Sequence, residues 1–178
     1  MIRPRQVVVN EHDEVIGAKS REEIGRDEIY RVSAVWVVVP RGGRYKVLIA
    51  QRKLTKKHDP GKWGPSVAGT VDEGETYESN AVKELGEEVG LAGVEPVPID
   101  GRSKFHDEFG DGGYRYFFKR FIAKGDWQES DFTKQESEVE NLKIVDIDEL
   151  ICDIKQRPGK FLPGFVDSVL ELKQFLQE

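Results

Sequence analysis

The chain has 178 residues, with 27 Lys and Arg against 33 Asp and Glu and a formal net charge of −6 at pH 7. That length suits one domain with a full hydrophobic core, and 38% hydrophobic with 10% aromatic residues excludes a wholly disordered chain. A single cysteine, Cys152, excludes an intramolecular disulfide and a Cys-based zinc site, and the acidic balance argues against broad nucleic-acid binding.

The opening MIRPRQVVVN has no signal-peptide-like apolar region, and no apolar run approaches the roughly 18–20 residues of a membrane span. A reducing, cytoplasmic setting and no membrane partner are therefore expected. Along the chain, Gln6 to Asn10 reads as a strand and Val15 to Gly17 as its return, a β-hairpin over about residues 5–18. Ser20 to Glu23 has capping-box spacing and is expected to start one helical turn. Ile29 to Val39 is a Val-rich buried strand, and Tyr45 to Arg52 is the next. Leu54 to Pro65 reads as loop, with Pro60-Gly61 and Gly64-Pro65 as breakers.

Ser66 to Val71 reads as a short strand. Thr76 to Val89 is a helix, with Ala81, Val82, Leu85 and Val89 as its apolar stripe and Gly90 as its terminating glycine. Val94 to Phe105 holds one or two strands, Asp107 to Gly113 a turn, and Tyr114 to Ala123 an aromatic strand. Asp126 to Glu136 is polar loop, Val139 to Val145 a last strand, Asp146 to Glu149 the start of a short helix, and residues 163–176 a C-terminal helix. Cys152 is expected to be a buried small hydrophobe. Strands and helices mix without regular alternation, which points to an α+β domain spanning 1–178.

Chemistry concentrates in residues 69–91. Glu84, Glu87 and Glu88 stand at i, i+3 and i+4, so they share one helix face. Three clustered carboxylates repel, each close pair costing on the order of a few kcal/mol when partly screened. Protonation or a hard divalent cation relieves that cost. Oxygen donors without thiolate or imidazole suit Mg²⁺, Mn²⁺ or Ca²⁺, and Mg²⁺ completes its shell with substrate phosphate. A solvated acidic face is the competing reading. Against it stand the loop Asp72-Glu73-Gly74-Glu75 before the helix and Gly86 within it, where glycine costs roughly 1 kcal/mol relative to Ala.

Gly69, Glu75, Lys83-Glu84, Leu85, Glu87-Glu88, Gly90 and Leu91 together resemble the Nudix signature, departing from it only in having Lys83 where the family has Arg. The resemblance implies a Nudix fold, a mixed β-sheet between helices. It also implies hydrolysis of a small-molecule diphosphate, such as a nucleoside diphosphate linked to another moiety, with Mg²⁺ or Mn²⁺. By position, Glu87 and Glu88 would be metal ligands, Glu84 a ligand or the base that activates water, and the Gly69 carbonyl a further ligand. Lys83 would orient Glu84 and Glu87, and Glu75 would support the loop. Lys lacks the planar fork of Arg. A later acid is also implied, from Glu136, Glu138 or Glu140, with Glu138 favoured.

The likeness extends over residues 6–91 to the isopentenyl-diphosphate isomerase-like branch, through Val8 to Gly17, Leu48 to Lys56 and Pro60 to Gly69. The isomerase's Cys and His are replaced by Ala68 and Thr70, which favours a hydrolase; an isomerase and a non-catalytic nucleotide-binding module are the alternatives. Arg52, Lys56 and Lys57 could meet substrate phosphates, or be a solvated basic loop. Trp63 could stack on a base or pack its own loop. His106 reads as a surface turn residue with a substrate-side role open. The oligomeric state is open, a homodimer being compatible with the sequence.

Overall fold

The computed structural model describes residues 4–99, 101–107 and 115–177. Its elements are strands β1 (Arg5–Val9), β2 (Val15–Ser20), β3 (Ile29–Arg41), β4 (Arg44–Arg52), β5 (Trp63–Gly64) and β6 (Val67–Thr70), helix α1 (Tyr77–Val89), strands β7 (Val97–Pro98), β8 (Lys104–Asp107), β9 (Arg115–Lys124) and β10 (Val139–Asp146), and helices α2 (Ile147–Gln156) and α3 (Phe165–Phe175). Among the described residues no helix is long and apolar enough to cross a membrane.

β3 organises the sheet. It is buried continuously from Val35 to Val39, the mark of a strand covered on both faces. Along one edge it pairs in parallel with β9, from Ile29 to Val38. Its other edge is shared by three antiparallel partners in turn: β1 at Ile29 and Tyr30, β6 at Val32 to Val35, and β4 at Val38 to Arg41. Where β6 gives way to β4, the Ser66 hydroxyl fills the gap. It accepts from the Val37 N–H (2.8 Å) and donates to the Leu48 carbonyl (2.6 Å).

Alternation along β3 divides the core. Val35 and Val37 face Ala81, Leu85 and Val89 of α1. Trp36 and Val38 face Ile147, Leu150, Ile151 and Ile154 of α2 and Phe165, Val169 and Leu172 of α3. The result is a mixed sheet between helices, an α+β arrangement. Each fully buried Val, Leu or Ile contributes roughly 1.5–3 kcal/mol.

Several local expectations are corrected. Ser20 to Glu23 forms a turn, not a helical turn: the Glu23 carboxylate accepts from the Ser20 N–H (2.9 Å) and hydroxyl (2.7 Å), which ends there without a following apolar stripe. The loop after β4 contains β5, whose Trp63 and Gly64 pair with Gln51 and Ala50. A short 3-10 turn, Glu129–Asp131, interrupts the polar segment before β10. His106 lies on β8, stacked on Tyr116 (ring centroids 4.6 Å apart). The turn expected after Asp107, and Tyr114 at the head of the aromatic strand, lie outside the described residues. Cys152 is exposed. The buried face of α2 is Ile147, Leu150, Ile151 and Ile154, and Cys152, one residue past Ile151, is turned about 100° away from it.

Candidate active site

Local chemistry fixes both ends of α1. Thr76 caps its start through a reciprocal box with Ser79: the Ser79 N–H donates to the Thr76 hydroxyl (3.1 Å) and the Thr76 N–H to the Ser79 hydroxyl (2.9 Å). Gly90 ends it with φ of 79°, the left-handed conformation that glycine adopts freely. The last carbonyls of a helix need outside donors. Here the Val89 and Glu88 carbonyls accept from the N–H groups of Thr133 and Gln135 (both 3.0 Å). That docking carries the segment leading into β10 across the end of α1, and Glu138 with it.

The loop before α1 is stapled to the helix by Lys83. Its ammonium lies 2.8 Å from Glu75, 3.0 Å from Asp72 and 3.7 Å from Glu84. Burial alone would lower the Lys83 pKa, but the Glu75 and Asp72 carboxylates outweigh it and hold it above the ordinary lysine value. Glu75 is likewise pulled up by burial, but Lys83, the Asp72 N–H and the Asn80 amide hold it below the usual carboxylate range. So Glu75 supports the loop, and Lys83 binds loop to helix more closely than it binds Glu84. Glu87 is exposed and makes no side-chain hydrogen bond or ion pair among the described residues.

Glu84 and Glu88 press against the backbone of β6. A Cβ placed on Gly69 would overlap the Glu84 carboxyl, so only glycine admits that approach. The Ala68 N–H donates to Glu88. Burial, with Glu87 and Glu75 nearby, raises the Glu84 carboxyl to about 7 against the opposing pull of Lys83 and Asn80. Burial, then the charges of Glu84 and Glu138, raise Glu88 to about 8 despite Ala68 and Lys56. Glu138 thus faces Glu88, and it pairs with Lys56. Glu136 and Glu140 instead lie 3.6 and 3.4 Å from Lys53.

Among the described residues no three His, Cys, Asp or Glu side chains lie together as a group that could hold a metal ion as they stand. The donor set nonetheless fits a hard divalent cation: oxygen donors only, with both acids raised by burial, Glu84 further by Glu87 and Glu75 and Glu88 further by Glu84 and Glu138. Ala68 and Thr70 flank Gly69 and supply neither thiol nor imidazole.

Arg52 and Lys56 line a cavity that reaches Thr70. Trp63 lies elsewhere: it packs with the core on the α2 and α3 side and lines a second recess with Phe161 and Cys152. Asn80 escapes a reading by motif. It is fully buried, and its amide donates to the Thr70 carbonyl (3.1 Å), Glu75 (3.0 Å) and Glu84 (3.4 Å). Its Oδ1 has no hydrogen-bond partner among the described residues. The available signal was a polar residue beside Ala81 on the apolar face of the helix.

Residues 30–165 match the family model of the NUDIX domain. Over 161 residues, 89% of this chain and 88% of the relative, the chain is 32% identical to an uncharacterized Nudix hydrolase of Listeria monocytogenes. A Deinococcus radiodurans protein shares the fold with a TM-score of 0.73 at 21% identity, over 93% of this chain and 96% of that one. The NUDIX domain of Shewanella oneidensis NrtR, solved with ADP ribose, superposes with a TM-score of 0.63 at 17% identity, over 82% and 87%. With the helix acids, the glycine of β6 and the loop before α1 all in place, the chain belongs to the Nudix hydrolase family, whose members cleave pyrophosphate bonds in nucleoside diphosphate derivatives.

Proposed function

We propose that this chain hydrolyses the diphosphate bond of a nucleoside diphosphate linked to another moiety, in a reaction that depends on Mg²⁺ or Mn²⁺. The observation that carries this reading is the meeting of three separate segments. Glu84 and Glu88 of α1 press on β6 at Ala68 and Gly69, while Glu138 from the segment before β10 faces Glu88. Glu84, Glu87, Glu88, Glu138 and the Gly69 carbonyl would hold the ion. Bound there, it would activate water and stabilise charge on the phosphoryl oxygens.

The remaining work belongs to the chain. Glu84, held against the Gly69 backbone, is placed to accept a proton from the attacking water. Lys83 keeps the 72–75 loop closed on the helix, and Asn80 holds Glu75 and Glu84 to the Thr70 backbone. Arg52 and Lys56 approach from the cavity side and would offset charge on the substrate phosphates.

Nucleotide or phosphate release from a panel of diphosphate compounds with Mg²⁺ tests the reading, with ADP ribose as the first compound because the Shewanella domain binds it. Turnover should fall at least about 100-fold in both Glu87→Gln and Glu88→Gln. Turnover that survives both substitutions, or that never occurs on any compound, would falsify the assignment.

A further inference from the structure

The cavity beside Thr70 has a volume of about 740 Å³ and lies between the 21–28 segment after β2 and the 52–58 segment after β4. Cavities of roughly 300–1,000 Å³ take a whole small-molecule moiety, well beyond a diphosphate. Its wall carries Arg21, Arg26, Arg52, Lys56, Lys57 and Arg115 against two acids, Glu22 and Glu28. Glu28 is committed to Lys19 and to the Gly25 N–H, Lys56 to Glu138, and Arg115 to Asp107 (3.4 Å) and the Asp27 carbonyl (3.1 Å). Arg21, Arg26 and Lys57 make no ion pair or side-chain hydrogen bond among the described residues. The Arg52 guanidinium donates from Nε to the His58 carbonyl (3.1 Å) and enters no ion pair among them.

The chain as a whole is acidic, at −6, so this positive field is a local feature of the cavity. Cations gathered within about one Debye length, roughly 8–10 Å, repel one another. A polyanion is the ligand that relieves them, and arginine forks match phosphate oxygens in pairs. The position is also informative: Thr70 follows Gly69 directly, and Lys56 joins the cavity wall to Glu138. A substrate with its diphosphate at the acids would therefore extend its far arm into this cavity.

We propose that the cavity is a specificity site for a further phosphate on that arm, so that the chain prefers diphosphate compounds carrying an additional phosphate remote from the scissile bond. Arg21, Arg26 and Lys57 are its specificity-determining residues. The inference rests on the hydrolase reading above. Compounds that end in an unphosphorylated sugar would leave these cations unmatched.

The test uses pairs of compounds that differ by one remote phosphate: NADH with NADPH, and dephospho-coenzyme A with coenzyme A. In at least one pair, kcat/KM should be about tenfold or more higher for the phosphorylated member, the size of one charge-assisted hydrogen bond. The preference should collapse in the Arg21→Gln/Arg26→Gln double variant and return with Arg21→Lys/Arg26→Lys. Equal or lower kcat/KM for the phosphorylated member in every pair hydrolysed, or a preference that the double glutamine variant retains, overturns the proposal. No hydrolysis of any member counts against the hydrolase reading instead. The cavity is then read directly, by calorimetric titration with tripolyphosphate in the absence of metal. Binding that weakens at least about tenfold in the double glutamine variant upholds the anion site; binding that is missing or unchanged ends it.

Discussion

Glu88 carries a large electrostatic cost in the candidate site. Its carboxyl is desolvated and faces Glu84 and Glu138, and the result is a value of about 8 beside about 7 for Glu84. Both groups bind their protons more tightly when folded than in the unfolded chain, where 4.5 is ordinary. Between about pH 4.5 and 8 the folded state therefore holds the extra protons. The stability they confer is complete below about 4.5 and is lost as pH rises through about 7 and 8. Thermal unfolding of the metal-free protein should show its midpoint falling from pH 5 to pH 8. Glu88→Gln keeps an acceptor for the Ala68 N–H and removes the charge. It should raise metal-free stability at pH 8 by on the order of a few kcal/mol while abolishing turnover. Loss of both stability and turnover in this variant would mean that the carboxylate is structural. Addition of Mg²⁺ should stabilise the native chain more than Glu88→Gln, because a ligand stabilises only the state that binds it.

At the scale of elements, the loop before α1 and the helix itself behave as one unit through Lys83. Lys83→Ala leaves Asp72 and Glu75 close together without their cation. The expected loss is about 1–3 kcal/mol in denaturant unfolding, with a fall in kcat as Glu75 and Asn80 lose register with Glu84. Lys83→Arg should retain most of both. Gly86 illustrates a different case. A glycine within a helix costs stability and stands against a purely structural helix, yet a Cβ there would meet Ala92 at an ordinary 3.7 Å. Gly86→Ala should therefore stabilise the protein by roughly 1 kcal/mol, read as a higher denaturation midpoint with unchanged slope. A decrease would show that the helix needs the glycine for a reason other than space.

For the whole molecule, β3 separates two cores, and only one of them carries the candidate site. Leu85 lies under α1 and Leu172 under α3, both almost fully buried. Leu85→Ala and Leu172→Ala should each cost about 2–5 kcal/mol. Measured at a temperature where both variants remain folded, kcat should drop for Leu85→Ala, because the neighbouring Glu84 and Glu88 shift with the helix. It should stay close to native for Leu172→Ala, whose cavity opens on the far side of the sheet. Equal losses of kcat would mean that the sheet transmits strain between the layers.

Gly69 and Glu75 were legible only through the resemblance of residues 69–91 to the Nudix signature, whereas the shared face of the α1 acids and the terminating glycine at 90 were legible because the 3.6-residue helical period decides which side chains share a face. The strand of β3 was legible for the same reason: a run of Val with a Trp has no use except burial on both faces. What the local pattern left open was every relation between distant segments. Glu138 reaches Glu88 because backbone donors at 133 and 135 satisfy the end of α1, a demand visible only once the helix end is in place. Trp63 falls on the α2 and α3 side, away from Arg52 and Lys56, because β5 pairs with β4. Cys152 is exposed through the rotation of α2 that its isoleucines require. The cationic cavity draws on β1, β3, β6, β9 and the segments after β2 and β4, and no period in the sequence joins them. Sequence by itself determined the acidic helix face and the likeness to the Nudix signature, since helical spacing and a contiguous motif are local properties; tertiary structure decided what surrounds that face, since strand pairing and burial act between residues far apart in the chain.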